Sequence, residues 1–397
     1  MDKRKSGRIT RFLEALSLVS IAFLLTFVCL EACCRFYITR VADEADFLMY
    51  ASIDQIKARG QVDLPRYSPH RYLGYMPTPG FESGNDRHNA DGCRGDEITS
   101  PKPKDEYRIV CLGGSTTYTT NPKNWQESYP AVLEAILKKR GYHNVRVING
   151  GAASWSSWEV LINFQFRVLD LDPDMIIAYL GINDAHTRLV WPPEAYRGDN
   201  SGRRAAIHAM SRETSVLEKS SLLRMILIRL RKIKPHSDME RTLDAAPDTY
   251  YGELFQSQVL SGKYPSGIFE KVSASEMFRI NRPIFFRRNL ENLAAIANHH
   301  GVETVLASLI LSPHFERQPR ATSDEYVGAV AETNEILKEI AAEMDLHFFD
   351  FASVFPKDQK LFTDGRHVTP SGAIMKARYF ADYLIDNQLL SPPGATN

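Results

Sequence analysis

The chain has 397 residues, 44% of them apolar, enough to bury one large core or two modest ones. Its 48 lysines and arginines balance 48 aspartates and glutamates, so bulk charge selects no class of partner, and no basic–aromatic surface of the nucleic-acid-binding kind stands out. Cys29, Cys33, Cys34, Cys93 and Cys111 form neither a disulfide framework nor a metal-ligand spacing, and no glycine-rich phosphate loop is present.

Charge is nevertheless unevenly placed. Residues 1–11 carry Lys3, Arg4, Lys5, Arg8 and Arg11 against Asp2 alone. Ala15 to Leu30 holds no charge, and extended over residues 12–34 the apolar segment reaches the roughly 20 residues that cross a bilayer. Glu14 and Glu31 fall near the two interfaces, with Arg35, Phe36 and Tyr37 as an outer anchor. This pattern predicts an uncleaved single-pass membrane anchor with a cytoplasmic basic tail, the rest of the chain lying on the extracytoplasmic side. A cleaved signal peptide is the less favoured alternative, because the apolar run is long and its small-x-small site is poor. Leu30-Glu31-Ala32-Cys33 only faintly suggests a lipoprotein site, since a glutamate inside it is atypical.

Residues 35–104 read as a connector that wraps the following domain. Ala42 to Arg59 has weak helical spacing. Pro65, Pro69, Pro77, Pro79, Pro101 and Pro103, with Gly74, Gly80, Gly84, Gly92 and Gly95, then forbid long regular elements. Arg94-Gly95-Asp96 is expected to be a turn.

Over residues 105–390 strands and helices alternate. Strands are predicted at Arg108–Leu112, Val145–Asn149, Met175–Leu180, Thr304–Leu311 and His347–Phe351. Helices are predicted at Tyr129–Arg140, Trp158–Leu169, Phe286–His299, Glu325–Met344 and Ser371–Gln388. Apolar strands separated by amphipathic helices give a parallel sheet covered on both faces, a three-layer α/β/α fold. Between about 191 and 284 the alternation fails and an insertion is expected. Within it, Leu222 to Pro235 reads as a basic amphipathic helix stopped by proline, favoured as a cap packing on the domain over a membrane-surface or acyl-chain contact. Residues 391–397 are a short tail.

The chemistry starts from Tyr107–Thr116, an apolar run that ends in Gly113-Gly114-Ser115. A buried strand stopping at a sharp turn presents the serine hydroxyl at the carboxyl edge of the sheet, where such folds build their sites. A serine nucleophile needs a base, and the base a partner that fixes its tautomer. Asp364-Gly365-Arg366-His367 supplies both on one loop before the last helix. Gly181-Ile182-Asn183-Asp184 follows the third strand, so Asn183 brings an amide donor to the same edge. After the second strand, Asn149-Gly150-Gly151-Ala152-Ala153-Ser154-Trp155 offers small residues whose backbone N–H groups a ligand can approach. Ordinary turns and loop contacts would use the same residue types one by one; the order of all four is what carries weight. His186, Trp155 and Trp158 are possible pocket walls, core packing being the alternative for the tryptophans. His299-His300 reads as a helix C-terminus.

With these blocks the chain resembles the SGNH (GDSL-type) hydrolase superfamily over residues 105–190 and 286–390. The resemblance implies a flavodoxin-like sheet of order 2-1-3-4-5 and ester hydrolysis through an acyl-enzyme. Ser115 would be the nucleophile, His367 the base and then acid, and Asp364 its orienter. Asn183 and the Ser115 backbone N–H, with Ser154 from the second block, would hold the oxyanion. Two positions depart from the family pattern. Gly114 stands where the family has aspartate, a variant associated with a membrane-anchored branch, and Ser154 stands where it has glycine. The expected function is a membrane-anchored serine esterase without cofactor or metal. Its substrate would be an acetylated glycan, a short acyl ester or a lipid ester, and no nucleic-acid partner is expected. An O-acyltransferase acting on a glycan, or a catalytically silent envelope binding protein, are the alternatives.

Overall fold

The computed structural model describes residues 3–52, 55, 66–70, 72–199, 219–233, 255, 258, 262–312 and 324–390. The chain forms two compact units, one of Met1–Asp63 and Ala206–Leu243, the other of Leu64–Ala205 and Asp244–Asn397. The elements begin with α1 (Lys3–Phe36), α2 (Glu44–Tyr50), β1 (Tyr67–His70), β2 (Gly74–Pro77), β3 (Glu82–Ser83) and β4 (Asp86–Arg87). The core follows with β5 (Tyr107–Gly113), α3 (Ser115–Tyr118), α4 (Tyr129–Lys139), β6 (Val145–Asn149), α5 (Ser157–Asn163), β7 (Met175–Tyr179) and α6 (Ile182–Thr187). Then come α7 (Ser221–Arg229), α8 (Ala274–Ile280), α9 (Ile284–His299), β8 (Glu303–Ala307), α10 (Asp324–Glu343), β9 (His347–Phe349), α11 (Phe351–Val354) and α12 (Pro370–Asp386).

In the first unit, the stretch Leu13–Val41 is long and apolar enough to cross a membrane, and its Leu18, Phe23 and Leu24 side chains are exposed. Glu31 near its end is satisfied by another helix. It accepts hydrogen bonds from Ser220 Oγ at 2.7 Å and from the Ser221 and Leu222 N–H groups at 2.9 Å each. The carboxylate thus takes up orphan donors at the start of α7. The amphipathic segment starts its helix as expected but ends at Arg229, before Pro235. Its Ile228 packs against Ile38, Ala42, Phe47, Tyr50 and Ala51 of the same unit. Of the weak helical spacing over 42–59, α2 is what forms, capped by Asp43 accepting from the Asp46 N–H at 2.8 Å; residues 53–54 and 56–59 lie outside the described set.

The second unit is built on a five-stranded parallel sheet of order β6-β5-β7-β8-β9, which is 2-1-3-4-5 in chain order. Central strands β5 and β7 are apolar almost throughout because helices cover both faces, which removes any solvent side to alternate with. α4 pairs with α12 on one face, and α5, α9 and α10 pack in series on the other. Ahead of the sheet, the connector forms two short antiparallel hairpins, β1–β2 and β3–β4, set in irregular chain.

The predicted helices over 129–140, 286–299, 325–344 and 371–388 agree with α4, α9, α10 and α12 to within two residues at each end. Two strands stop early. β8 ends at Ala307 because Asn334 of α10 takes both backbone groups of Leu309, accepting from its N–H at 2.8 Å and donating to its carbonyl at 2.9 Å. β9 ends at Phe349, where the chain turns into α11 at Asp350, whose carboxylate accepts from Ser353 Oγ at 2.5 Å and Ser308 Oγ at 2.9 Å. The helix expected over 158–169 is α5 only as far as Asn163, followed by a π-turn at Phe164–Val168 and a 3-10 turn at Leu169–Leu171.

Between the sheet and α4/α12 lies an aromatic cluster centred on Phe380, whose ring stands 5.5 Å from Tyr129, 6.1 Å from Tyr179 and 5.1 Å from both Phe349 and Phe351. Phe380→Ala should therefore cost about 3–5 kcal/mol, measured as a lowered urea midpoint; a loss below about 1 kcal/mol would mean the cluster closes over the gap.

Candidate active site

The turn after β5 is shaped by what cannot fit there. Gly113 has φ +154°, and a Cβ on it would strike the Tyr179 carbonyl and Thr117 Oγ1. A Cβ on Gly114 would lie 2.5 Å from Asn183 Nδ2 and 3.1 Å from the Trp155 carbonyl oxygen. Ser115 then opens α3, half-buried, and Thr117 Oγ1 ties the turn to β7 by donating to the Tyr179 carbonyl at 3.0 Å.

The loop between β9 and α12 brings the other two groups to this hydroxyl. His367 Nε2 lies 2.7 Å from Ser115 Oγ, and His367 Nδ1 lies 2.5 Å from Asp364 Oδ2. Asp364 Oδ1 accepts from the N–H groups of Arg366 at 3.2 Å and His367 at 2.8 Å, which fixes the carboxylate relative to the ring. Gly365, at φ +79°, lets the loop fold back tightly enough for this. Burial pushes the Asp364 pKa up, but the hydrogen bond and charge of His367, its backbone N–H and Arg366 outweigh it and hold the carboxyl at about 2.

Asn183 stands at the start of α6, directly after β7, and its Nδ2 donates to the Trp155 carbonyl at 2.8 Å. One amide hydrogen is thereby used to orient the group, and the second remains for another acceptor. Ser154 adopts the left-handed conformation, φ +63°, that glycine takes freely and that costs other residues about 1 kcal/mol. The strain is held from both sides. Ala153 donates its N–H to Tyr67 Oη at 3.1 Å and accepts at its carbonyl from Tyr75 Oη at 2.6 Å, while Trp155 Nε1 donates to the Tyr75 carbonyl at 3.2 Å. Tyr67 and Tyr75 belong to β1 and β2, so the connector fixes this loop.

The connector also braces the Ser115 segment. Arg94, expected in a turn, is buried and paired with Asp86 through Nε at 2.7 Å. Its guanidinium donates to the carbonyls of Tyr118 at 2.8 Å, Thr119 at 2.6 Å and Pro122 at 2.5 Å. His88 stands 2.7 Å from Tyr118 Oη through Nε2 and 3.0 Å from the Thr78 carbonyl through Nδ1. That carbonyl can only accept, so Nδ1 carries the proton. Burial lowers the His88 pKa to about 4, which keeps the ring neutral.

The remaining candidates are dispersed. His186 Nδ1 lies 2.8 Å from Tyr326 Oη on α10. Trp155 is a buried core residue, and Trp158 lies under the Arg288 guanidinium at 5.6 Å. His299 and His300 end α9 as expected. Cys93 and Cys111 are buried free thiols.

The profile of the GDSL-like lipase/acylhydrolase family matches residues 111–373, more than half of the chain and all of the residues assembled above except the connector's. The chain belongs to this family. It is an ester-hydrolysing enzyme. None of the curated proteins compared with it matches. Among solved structures, it is similar at 14% identity to a lipase/acylhydrolase from Enterococcus faecalis, with a TM-score of 0.40 over 71% of this chain and 96% of that one. It is similar at 14% identity to TesA, with a TM-score of 0.40 over 71% and 99%. A catalytic mutant of an acetylxylan esterase from Geobacillus stearothermophilus is likewise 14% identical, with a TM-score of 0.39 over 70% and 94%. At this level of likeness the family match, not the neighbours, carries the assignment.

Behind the site of this GDSL-like hydrolase sits a second carboxyl with the opposite character. Asp184 is buried beside Asn183, accepts at Oδ1 from the Ser157 N–H at 2.9 Å and has no hydrogen-bond partner at Oδ2 among the described residues. Burial raises its pKa from 3.8 to about 7, with Ser157 opposing and the Glu159 carboxylate adding to the rise. Between those values the folded protein holds a proton that the unfolded chain has released. Stability therefore falls as pH climbs through this window, by about 1.4 kcal/mol per unit at the steepest. Asp184→Asn should flatten the melting temperature between pH 4.5 and 7; an unchanged slope would assign the pH dependence elsewhere.

Proposed function

We propose that this hydrolase is a serine esterase working through an acyl-enzyme, with Ser115 as nucleophile, His367 as base and then acid, and Asp364 as orienter. The observation that supports it is the continuous Ser115–His367–Asp364 chain, at 2.7 Å and 2.5 Å. A carboxyl held at about 2 is only an acceptor near neutral pH, so the imidazole keeps its proton on Nδ1 and offers the Nε2 lone pair to the serine hydroxyl. As Ser115 Oγ bonds to the ester carbon, its proton moves to His367 Nε2 and the carbonyl electrons collect on oxygen. The second Nδ2 hydrogen of Asn183 and the backbone N–H groups of Ser115 and Ser154 are the donors for that oxygen. His367 then protonates the departing alcohol, and a water activated by the same nitrogen releases the acid.

The substrate class is a carboxylic ester of the acetylated-glycan, short-acyl or lipid type. Ser115→Ala should reduce turnover of a short p-nitrophenyl ester at least a thousandfold without lowering the melting temperature. A fluorophosphonate should label the parent, and His367→Ala should largely remove the labelling. Turnover that survives Ser115→Ala would refute the assignment. With an acceptor glycan bearing free hydroxyls present, free acid identifies hydrolysis and a newly acylated sugar identifies transfer.

The same reading takes α1 as a membrane anchor that holds the enzyme outside the cytoplasm. The length and apolarity of Leu13–Val41 support it, as does the outward display of its side chains. The exposed Arg229, Arg231 and Lys232, next to exposed Leu230, suit the headgroup side of a bilayer. The full chain should stay with membranes through an alkaline carbonate wash; its release would favour cleavage or peripheral attachment.

A further inference from the structure

Helix α12 carries a lysine where its apolar stripe calls for a hydrophobic residue. Ala373, Ala377, Phe380, Ala381 and Leu384 face the core, and Lys376 lies among them, 1% exposed. Its ammonium stands 3.5 Å from the Tyr179 ring centroid and 3.9 Å from that of Tyr129, and it donates to the Thr116 carbonyl at 3.2 Å. No ion pair among the described residues includes it. Burial depresses its pKa well below the ordinary lysine range, as expected for an amine taken from water without a counter-charge. Aromatic faces recover part of that cost, but a methionine or leucine there would fill the stripe more cheaply.

What the amine reaches is the peptide beside the nucleophile. α3 stops at Tyr118, and Thr119 turns left-handed at φ +63°, so the helix does not run on to satisfy the Thr116 carbonyl. Lys376 supplies a donor in place of that missing turn. α12 itself starts at Pro370, three residues after His367, with Thr369 as its N-cap accepting from the Gly372 N–H at 3.2 Å. A single rigid helix therefore carries the His367 loop at its start and, about 9 Å along its axis, the amine that grips the Ser115 turn.

We propose that Lys376 is a positioning residue of this hydrolase: the bond from its Nζ to the Thr116 carbonyl fixes the nucleophile turn relative to α12, and so holds Ser115 Oγ at bonding distance from His367 Nε2. The inference rests on the Ser115–His367 reading given above. Misplacement of a reacting group by about 1 Å costs on the order of a hundredfold in rate, so the effect belongs in kcat.

The test uses the full-length protein in detergent and a short p-nitrophenyl ester. Lys376→Met should leave the melting temperature unchanged or raised, lower kcat about ten- to hundredfold, and leave KM within about twofold. Fluorophosphonate labelling of Ser115 should slow in parallel. Lys376→Gln, which keeps a neutral donor on a side chain one bond shorter, should regain part of the lost kcat. An unchanged kcat in Lys376→Met overturns the proposal. So does a kcat loss that tracks a falling melting temperature, a protein that does not fold, or a Lys376→Gln variant no better than Lys376→Met, because each makes the lysine either idle or merely structural. Ser115→Ala run alongside separates the two ideas. Turnover persisting there sinks the nucleophile assignment and this inference with it, whereas turnover lost there but kept in Lys376→Met sinks the inference alone.

Discussion

The architecture of the site depends on one close approach, that of the Asn183 carboxamide to the backbone at Gly114. The ends of β5 and β7 are neighbours in the sheet, and the amide lies where any side chain at 114 would place its first carbon, 2.5 Å away. The family resemblance leads one to expect aspartate at this position. Here glycine is what lets Asn183 lie against the Ser115 turn while its Nδ2 is held by the Trp155 carbonyl. Three strand ends are thus joined through two contacts, and the serine, the amide and the small-residue loop take up positions relative to one another before any substrate arrives. Preorganisation of this kind is what makes neutral donors effective toward developing charge.

Two carboxyls near the site show how surroundings divide one chemistry into two. Asp364 is ringed by an imidazole, two backbone N–H groups and an arginine, and stays ionised. Asp184, the residue after Asn183, is buried beside Ser157 with another acid nearby, and holds its proton toward neutrality. The first suits a permanent partner for a histidine. The second behaves as a buried polar group that ties α6 to the start of α5.

The strands and the polar residues at their ends were legible in the sequence because each leaves a local mark: continuous β-branched runs for buried parallel strands, and glycine-flanked polar residues directly after them. The order of the strands followed only from the family resemblance. Strand ends were less legible. Leu309, Ile310 and Leu311 are as apolar as the strand before them, but they are buried by packing while Asn334 takes the hydrogen bonds a neighbouring strand would supply. The left-handed backbone of Ser154 is invisible in composition, since serine rarely adopts it and nothing nearby announces it. Arg94 was hidden by the ordinary exposure of arginine and by a partner, Asp86, at a spacing that matches no regular element. Lys376 did leave a signal, a cation at a stripe position of an amphipathic helix.

The hairpins ahead of the sheet give this enzyme a folding boundary different from its family boundary. The family profile begins at residue 111, yet Tyr67 and Tyr75 pin the strained loop at Ser154, and Arg94 with Asp86 holds the carbonyls just past Ser115. A fragment cut at the start of the homology would keep Ser115, Asn183, Asp364 and His367 and lose the contacts that brace the Ser115 and Ser154 loops. The second unit accordingly begins at Leu64, well ahead of the matched region, and the connector, from its hairpins onward, forms part of the wall behind Ser115 and Ser154.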